Sequence, residues 1–259
     1  MEELKKYYKK IKRILELSFS LAKANFKLRN ESSYLGIFWY LLEPLCFFAI
    51  ILLIGGAINQ NPIQYYPLYL FLGLIMFNFF INSTLNITNI IMSNSGIIKS
   101  MKINYEALVV SGVLQFVYSH IIEMLIFLVL MVFFKGSFLS LIFYIPIFLV
   151  FLLFVLGVGF MLSSIGAYVS DLYNLWNVFT RLLWFLTPIF YVMPPSIIFQ
   201  KISYFNPMFH LINIARSIII YDKMPSFYTL FLMMFVSIAS FMIGLLIFKK
   251  YKQKFAEIV

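Results

Sequence analysis

Few side chains in this 259-residue chain could do chemistry, and most of those sit in apolar surroundings. Glu43, Glu123 and Arg181 are charged groups inside long hydrophobic runs, with His120 one helical turn from Glu123. A charge held in hydrocarbon pairs with an opposite charge or lines a pathway. At ~1.5 Å of rise per helical residue, Glu43 lies roughly 9–11 Å and Arg181 about 12 Å beyond the inner starts of their runs, while Glu123 lies ~24 Å into its own. Matching depth predicts a Glu43–Arg181 ion pair, and leaves Glu123 beside His120.

Other chemistries lack their parts. His120 and His210 are the two histidines, and neither has a companion at metal-ligand spacing. The single Cys46 lies in an apolar run and offers neither a disulfide framework nor a metal site. Gly55-Gly56 is followed by Ala57 and Ile58, so the Lys and hydroxyl of a phosphate-binding loop are missing. No G-x-S-x-G elbow or Cys/His pairing occurs. The chain is therefore not expected to be an enzyme, and no metal or cofactor of its own is assigned to it.

What remains is a framework for lipid. Apolar residues make up 63% of the chain and charged ones 12%, against about half and a quarter in soluble domains. The net charge of +10 does not point to nucleic acid, because nine of the 20 Lys and Arg lie in residues 1–29 and four more in 249–254. Basic ends suit the anionic cytoplasmic leaflet. No small-residue cleavage site follows the basic head, so no cleavable leader is expected. A single domain over 1–259 is expected: an amphipathic interface helix over 1–30, a six-helix membrane bundle over 36–248 and a basic cytoplasmic tail over 249–259.

Six runs reach the ~20 apolar residues a crossing helix needs: 36–58, 68–91, 107–134, 141–169, 173–193 and 226–248. In the leader, Leu4, Tyr7, Tyr8, Ile11, Ile14 and Leu15 recur at spacings of three and four with lysines between them. That pattern predicts a helix lying in the membrane interface. With the N-terminus inside, the inner segments carry fifteen Lys and Arg and the outer ones four, which places both termini in the cytoplasm. Residues 194–225 read as two short helices broken at Asn206-Pro207 and dipping into the outer leaflet. Irregular backbone at that depth must be buried in protein or line a water-filled cavity. The fold class is thus all-α integral membrane, with an N-terminal interface helix and two short re-entrant helices before the last span.

Asn78, Asn82, Asn86 and Asn89 form a stripe on the second run, and Ser111, Gln115, Ser119 and Glu123 one on the third. Each stripe either hydrogen-bonds helix to helix or walls a hydrophilic pathway. Gly159, Ser163 and Ala167, with Gly157 and Gly166 nearby, form a small-residue face suited to close helix packing. Gly96-Ile97-Ile98-Lys99-Ser100-Met101-Lys102 is a basic amphipathic turn; it is either an ordinary inner loop or a surface on which an external motor pushes.

Four stretches resemble the permease subunit of type-2 ABC exporters, especially those for O-antigen, capsule or teichoic-acid polysaccharides. They are Tyr34-Leu35-Gly36 with Trp39 and Pro44-Leu45; Gly96 to Lys102; Asp171 followed by Thr187-Pro188-Ile189-Phe190-Tyr191; and Asn206-Pro207 with Arg216. The order and spacing cover essentially the whole chain. Two places depart from the family: Ile103-Asn104-Tyr105 stands where a proline is common, and Ser170 where Arg often precedes the loop Asp.

The resemblance implies a homodimer bound to two ATPase subunits, which supply ATP and magnesium, in the bacterial cytoplasmic membrane. A lipid-linked polysaccharide is the implied substrate. It assigns ATPase coupling to the leader and to Gly96, Ile97, Ile98, Lys99, Met101 and Lys102, and the outer helices to Asn206, Pro207 and Arg216. A pathway or gate falls to Tyr34, Trp39, Glu43, Arg181, Trp184 and Tyr191; the aromatic rings among them can stack on sugars or simply form interfacial belts. The alternatives are a drug or lipid exporter of the same fold, and a membrane-embedded enzyme or assembly factor of glycan synthesis.

Overall fold

Where water is absent, every backbone donor needs an internal partner, which leaves the helix as the local structure for long Leu-, Ile- and Phe-rich runs. The computed structural model describes residues 2–31, 34, 36–58, 63–100, 103–134, 138–193 and 196–258, and no β-strand occurs among them. Helix α1 (Glu2–Glu31) is followed by a 3-10 turn at Gly36–Phe38, where Gly36 takes a left-handed φ of 48° that a residue without Cβ adopts freely. Then come α2 (Trp39–Ile58), α3 (Tyr66–Thr88), the short α4 (Ile90–Ser93) and α5 (Ser95–Ser100), and α6 (Tyr105–Phe134). A 3-10 segment (Leu139–Phe143) leads into α7 (Tyr144–Gly166). Next are α8 (Leu172–Leu186), α9 (Ile197–Tyr204), α10 (Pro207–Ile219), α11 (Phe227–Tyr251) and α12 (Phe255–Ile258).

Four of these are long and apolar enough to cross a membrane: Tyr66–Thr88, Tyr105–Phe134, Leu139–Gly166 and Phe227–Lys254. In α2 the apolar stretch among the described side chains is Leu42–Ile54. The run expected over 173–193 is corrected. α8 stops at Leu186, giving ~22 Å of helix. The cause is local: Thr187 precedes Pro188, and the proline ring disfavours helical backbone in the residue before it. Thr187 accordingly takes an extended conformation, φ −97° and ψ 124°.

α3 is the buried axis. Leu68 and every residue from Leu70 to Phe77 are buried, with α6, α7, α8 and α10 packed around it. Its polar stripe points partly at α6, where Asn86 Nδ2 donates to the Gly112 carbonyl at 3.3 Å, while Asn82 is exposed. On α6, Ser111 and Gln115 bond back to their own helix, to the carbonyls of Leu108 and Gly112.

At the end of the bundle that carries both chain termini, α1 packs along α6. Ser18 Oγ donates to the Ala107 carbonyl at 3.3 Å, Phe26 meets Tyr118 at 5.4 Å between ring centres, and Arg29 lies over the Phe116 ring. Lys252 pairs with Glu106, and Phe255 sets its ring edge-on to Tyr105, closing the same end.

The most extensive helix pair is α7 with α11, and it depends on two glycines. A Cβ at Gly157 would lie 2.4 Å from the Ser240 carbonyl carbon, and one at Gly244 would lie 2.2 Å from the Gly157 carbonyl oxygen. The backbones touch, so no side chain fits on either side. Gly157→Leu is expected to destabilise the bundle by about 1–3 kcal/mol or more through overpacking. Thermal unfolding in detergent reads this as a lower Tm, whereas Gly96→Ala, with nothing within 4 Å of its Cβ position, leaves Tm unchanged.

Candidate functional site

The irregular segment Thr187–Tyr191 is where the sequence-predicted residues converge, at the end of the bundle away from the termini. Once α8 has ended, the carbonyls of Pro188, Ile189, Phe190 and Tyr191 have no helical partner. Side chains satisfy all four. Arg216 on α10 donates from its two terminal nitrogens to Pro188 O at 2.8 Å and Ile189 O at 2.7 Å, and from Nε to Tyr69 O at 3.1 Å. Tyr66 Oη donates to Phe190 O at 2.9 Å, and Tyr69 Oη lies 3.3 Å from Pro188 O and 3.2 Å from Tyr191 O.

Arg216 is 2% exposed, and its guanidinium lies over the Tyr69 ring, 3.4 Å from the centroid. Removing a cation from water is costly unless its donors are used, and here charge-assisted bonds and the ring face offset that cost. Gly73 opens the space: a Cβ there would sit 2.3 Å from Arg216 Nη2. The planar fork of arginine fits three carbonyls as a lysine ammonium could not.

Asn206 locks the start of α10 to the same segment. Its extended backbone, its side-chain oxygen accepting from Met208 N at 3.0 Å and the following Pro207 form a helix N-cap. Its Nδ2 donates to Thr187 Oγ1 at 2.8 Å, and that hydroxyl donates onward to Leu183 O at 2.7 Å. The break expected at Asn206-Pro207 is thus a built joint. Beneath it lies a mainly apolar cavity of about 290 Å³, walled by Phe80, Phe154, Trp176, Leu183 and Met208. Trp176 there donates to Thr84 at 2.9 Å.

Trp184 is half-buried, stacks on Phe190 at 5.2 Å and meets Phe47 of α2 edge-on at 6.2 Å. Tyr191 is half-buried and donates to the Phe185 carbonyl at 2.7 Å. Tyr34 is fully exposed and Trp39 exposed. The predicted Glu43–Arg181 ion pair is corrected: both side chains are exposed, and they are not joined within the chain. Depth places residues along a helix axis but not around it, and both charges point outward.

The depth assigned to Glu123 is corrected as well. α6 spans 30 residues, ~45 Å, so its first turns lie beside α1 and counting from its start overstates the depth. Glu123 instead comes within electrostatic range of Glu43. It bonds His120 Nδ1 at 3.3 Å, and His120 Nε2 meets Tyr144 Oη at 2.6 Å, in a buried cluster stacked on Phe148.

At the opposite end, Gly96 and Lys99 are exposed on α5 and Ile97 and Ile98 half-buried; Met101 and Lys102 lie outside the described residues. Among the described residues α5 packs mainly against α4, not against α10.

Sequence reading missed Tyr66, Tyr69 and Gly73. Their spacing of three and four sets them on one face of α3, a signal that was present once Arg216 was known to face that helix.

Residues 16–220 match the family described as ABC-2 type transporter. The chain belongs to that family. This ABC-2 chain is therefore a multi-pass membrane protein. It is 26% identical over 251 residues to two Klebsiella pneumoniae proteins, each called O-antigen export system permease protein RfbA, covering 95% of this chain and 96% of the relative. A Myxococcus xanthus protein of the same name is 23% identical over 247 residues, covering 93% and 94%.

Arg216→Ala leaves the Ile189 carbonyl without its donor, Pro188 O with only Tyr69 Oη, and Tyr69 O with only its place in the helix, at ~1–3 kcal/mol for a group left unsatisfied. A strongly lowered Tm in detergent and loss of the monodisperse peak in gel filtration are expected, with Arg216→Lys intermediate. Wild-type behaviour of Arg216→Ala would contradict the role given to these bonds.

Proposed function

We propose that the chain is the permease subunit of an ATP-driven exporter that carries a lipid-linked, O-antigen-like polysaccharide from the cytoplasm across the bacterial inner membrane. The observation that carries this reading is similarity along almost the entire chain to O-antigen export permeases. On this reading six segments cross the membrane: α2, α3, α6, α7, α11, and α8 continued by the extended residues after Leu186. α9 and α10 enter and leave the outer leaflet, and both termini are cytoplasmic.

Two copies form the transporter and two ATPase subunits drive it, binding ATP and magnesium outside this chain. α1 and the Gly96–Lys102 segment face the ATPase. The fold suggests how a push there reaches the outer side. α3, α4 and α5 follow one another with single-residue breaks at Asn89 and Asn94. The inner end of this rod carries the exposed Gly96 and Lys99, and its outer end carries Tyr66, Tyr69 and Gly73, which hold Arg216 and the segment after α8. Displacing the rod along its length would move the α9–α10 pair, while Trp39, Trp184 and Tyr191, on or beside α2 and α8, border the route.

Deleting the gene is expected to leave lipid-linked glycan on the cytoplasmic side and to remove it from the cell surface, with both restored by the wild-type copy. Lys99→Glu, at an exposed position, should leave Tm near wild type and reduce ATPase co-purification about tenfold, since the charge offered to the ATPase is reversed. Undiminished surface glycan in the deletion strain, or transport by the purified chain in liposomes without any ATPase, would overturn the proposal.

A further inference from the structure

The exposed side chains of α2 and α8 raise a question that lipid cannot answer. On α2, Glu43, Cys46, Phe47, Ile50, Leu53 and Ile54 are exposed at helical spacing; on α8, Asn174, Leu175, Val178, Arg181, Leu182 and Phe185 are. Each stripe is apolar enough for a membrane and each carries one full charge. A charge turned toward lipid is strongly unfavourable, so another medium must cover both.

The two charges share a depth. Phe47 and Trp184 touch across the α2–α8 junction. Glu43 lies four residues before Phe47, ~6 Å, and Arg181 three before Trp184, ~4.5 Å. Both helices run from the terminal end of the bundle toward the Arg216 end: α2 leads on to the start of α3, and α8 leads to Thr187–Tyr191. Glu43 and Arg181 are thus level, on neighbouring parallel helices, and both point out of the chain. Among the described residues neither Glu43 nor Arg181 has an ion-pair partner within the chain.

We propose that a second copy of this chain supplies the partners: across a two-fold axis along the membrane normal, Glu43 of each protomer pairs with Arg181 of the other. A two-fold interface is self-complementary, so one contact of α2 with the other protomer's α8 recurs by the 180° rotation as α8 with the other protomer's α2. A face carrying one acid and one base at equal depth satisfies that rule without further charges. This rests on the homodimer proposed above and names the contact that sets its register.

Two measurements test it in membranes holding the full chain. Cys46 is the single cysteine and is exposed one turn beyond Glu43. Phe185→Cys places a second thiol one turn beyond Arg181, so mild oxidation is expected to give a covalent dimer joined from Cys46 to position 185. The second uses two differently tagged copies. Glu43→Lys alone and Arg181→Glu alone each set like charges across the axis, and co-purification of the two tags is expected to fall roughly tenfold or more. Co-expressing the Glu43→Lys chain with the Arg181→Glu chain restores both pairs and the yield, as does the double exchange in one chain.

Rescue by the double exchange but not by the mixture would place the pair within one protomer and overturn the proposal. Two tags that co-purify in the wild type, with no covalent dimer and ready labelling of both thiols by an impermeant maleimide, would mean the charges face a water-filled route; the proposal then fails while the homodimer stands. Failure of wild-type tags to co-purify would overturn the homodimer itself. The cross-link uses unaltered charges, so it decides the matter even where a charge variant does not fold.

Discussion

A run of carbonyls without helical partners, in a protein that spans a membrane, is the constraint around which the far end of this structure is built. Pro188 ends α8 and leaves four oxygens in succession. Hydrocarbon offers them no donors, and each left bare would cost several kcal/mol. One guanidinium and two phenols provide the bonds, and all three belong to elements remote in sequence: Tyr66 and Tyr69 from α3, Arg216 from α10. The same bonds that satisfy the segment therefore fasten α10 to the central helix. Irregular backbone and tertiary attachment are one feature here.

Elsewhere the bundle is held by simpler means. α7 and α11 meet backbone to backbone through Gly157 and Gly244, the close approach that small residues permit where lipid provides no hydrophobic drive between helices. The His120–Glu123–Tyr144 cluster keeps polar groups bonded to one another between aromatic faces. These contacts fix neighbours rigidly, while the inner α4–α5 steps, interrupted at Asn89 and Asn94, are short and partly exposed. A rigid axis with an accessible inner end and a fastened outer end suits a subunit driven by another polypeptide.

Much of this was legible from residue types. Proline and asparagine announce themselves: the joint at Asn206-Pro207 and the stop before Pro188 follow from backbone chemistry that needs no tertiary context, although the apolar residues around Pro188 carry the expected run on to 193. The leader's periodicity implies α1, but not that it leans on α6 through Ser18 and Phe26. Arg216 was marked only by resemblance. Its role was hidden because its partners are backbone oxygens, which every residue has and no sequence distinguishes. Gly244 went unnoticed for a related reason, since a glycine shows its purpose only when the opposing backbone is seen. The Glu43–Arg181 match in depth does not by itself make a bond within the chain, because counting along a helix says nothing of the direction a side chain points.

The account stands most directly on whether the segment after α8 is kept dry by Arg216. Ile189 is fully buried there, so a chain carrying Cys46→Ser and Ile189→Cys reports on it alone. Labelling with a membrane-impermeant maleimide in intact membranes should be absent while Arg216 is present and appear when Arg216→Ala is added. Equal labelling of the two chains would contradict the account.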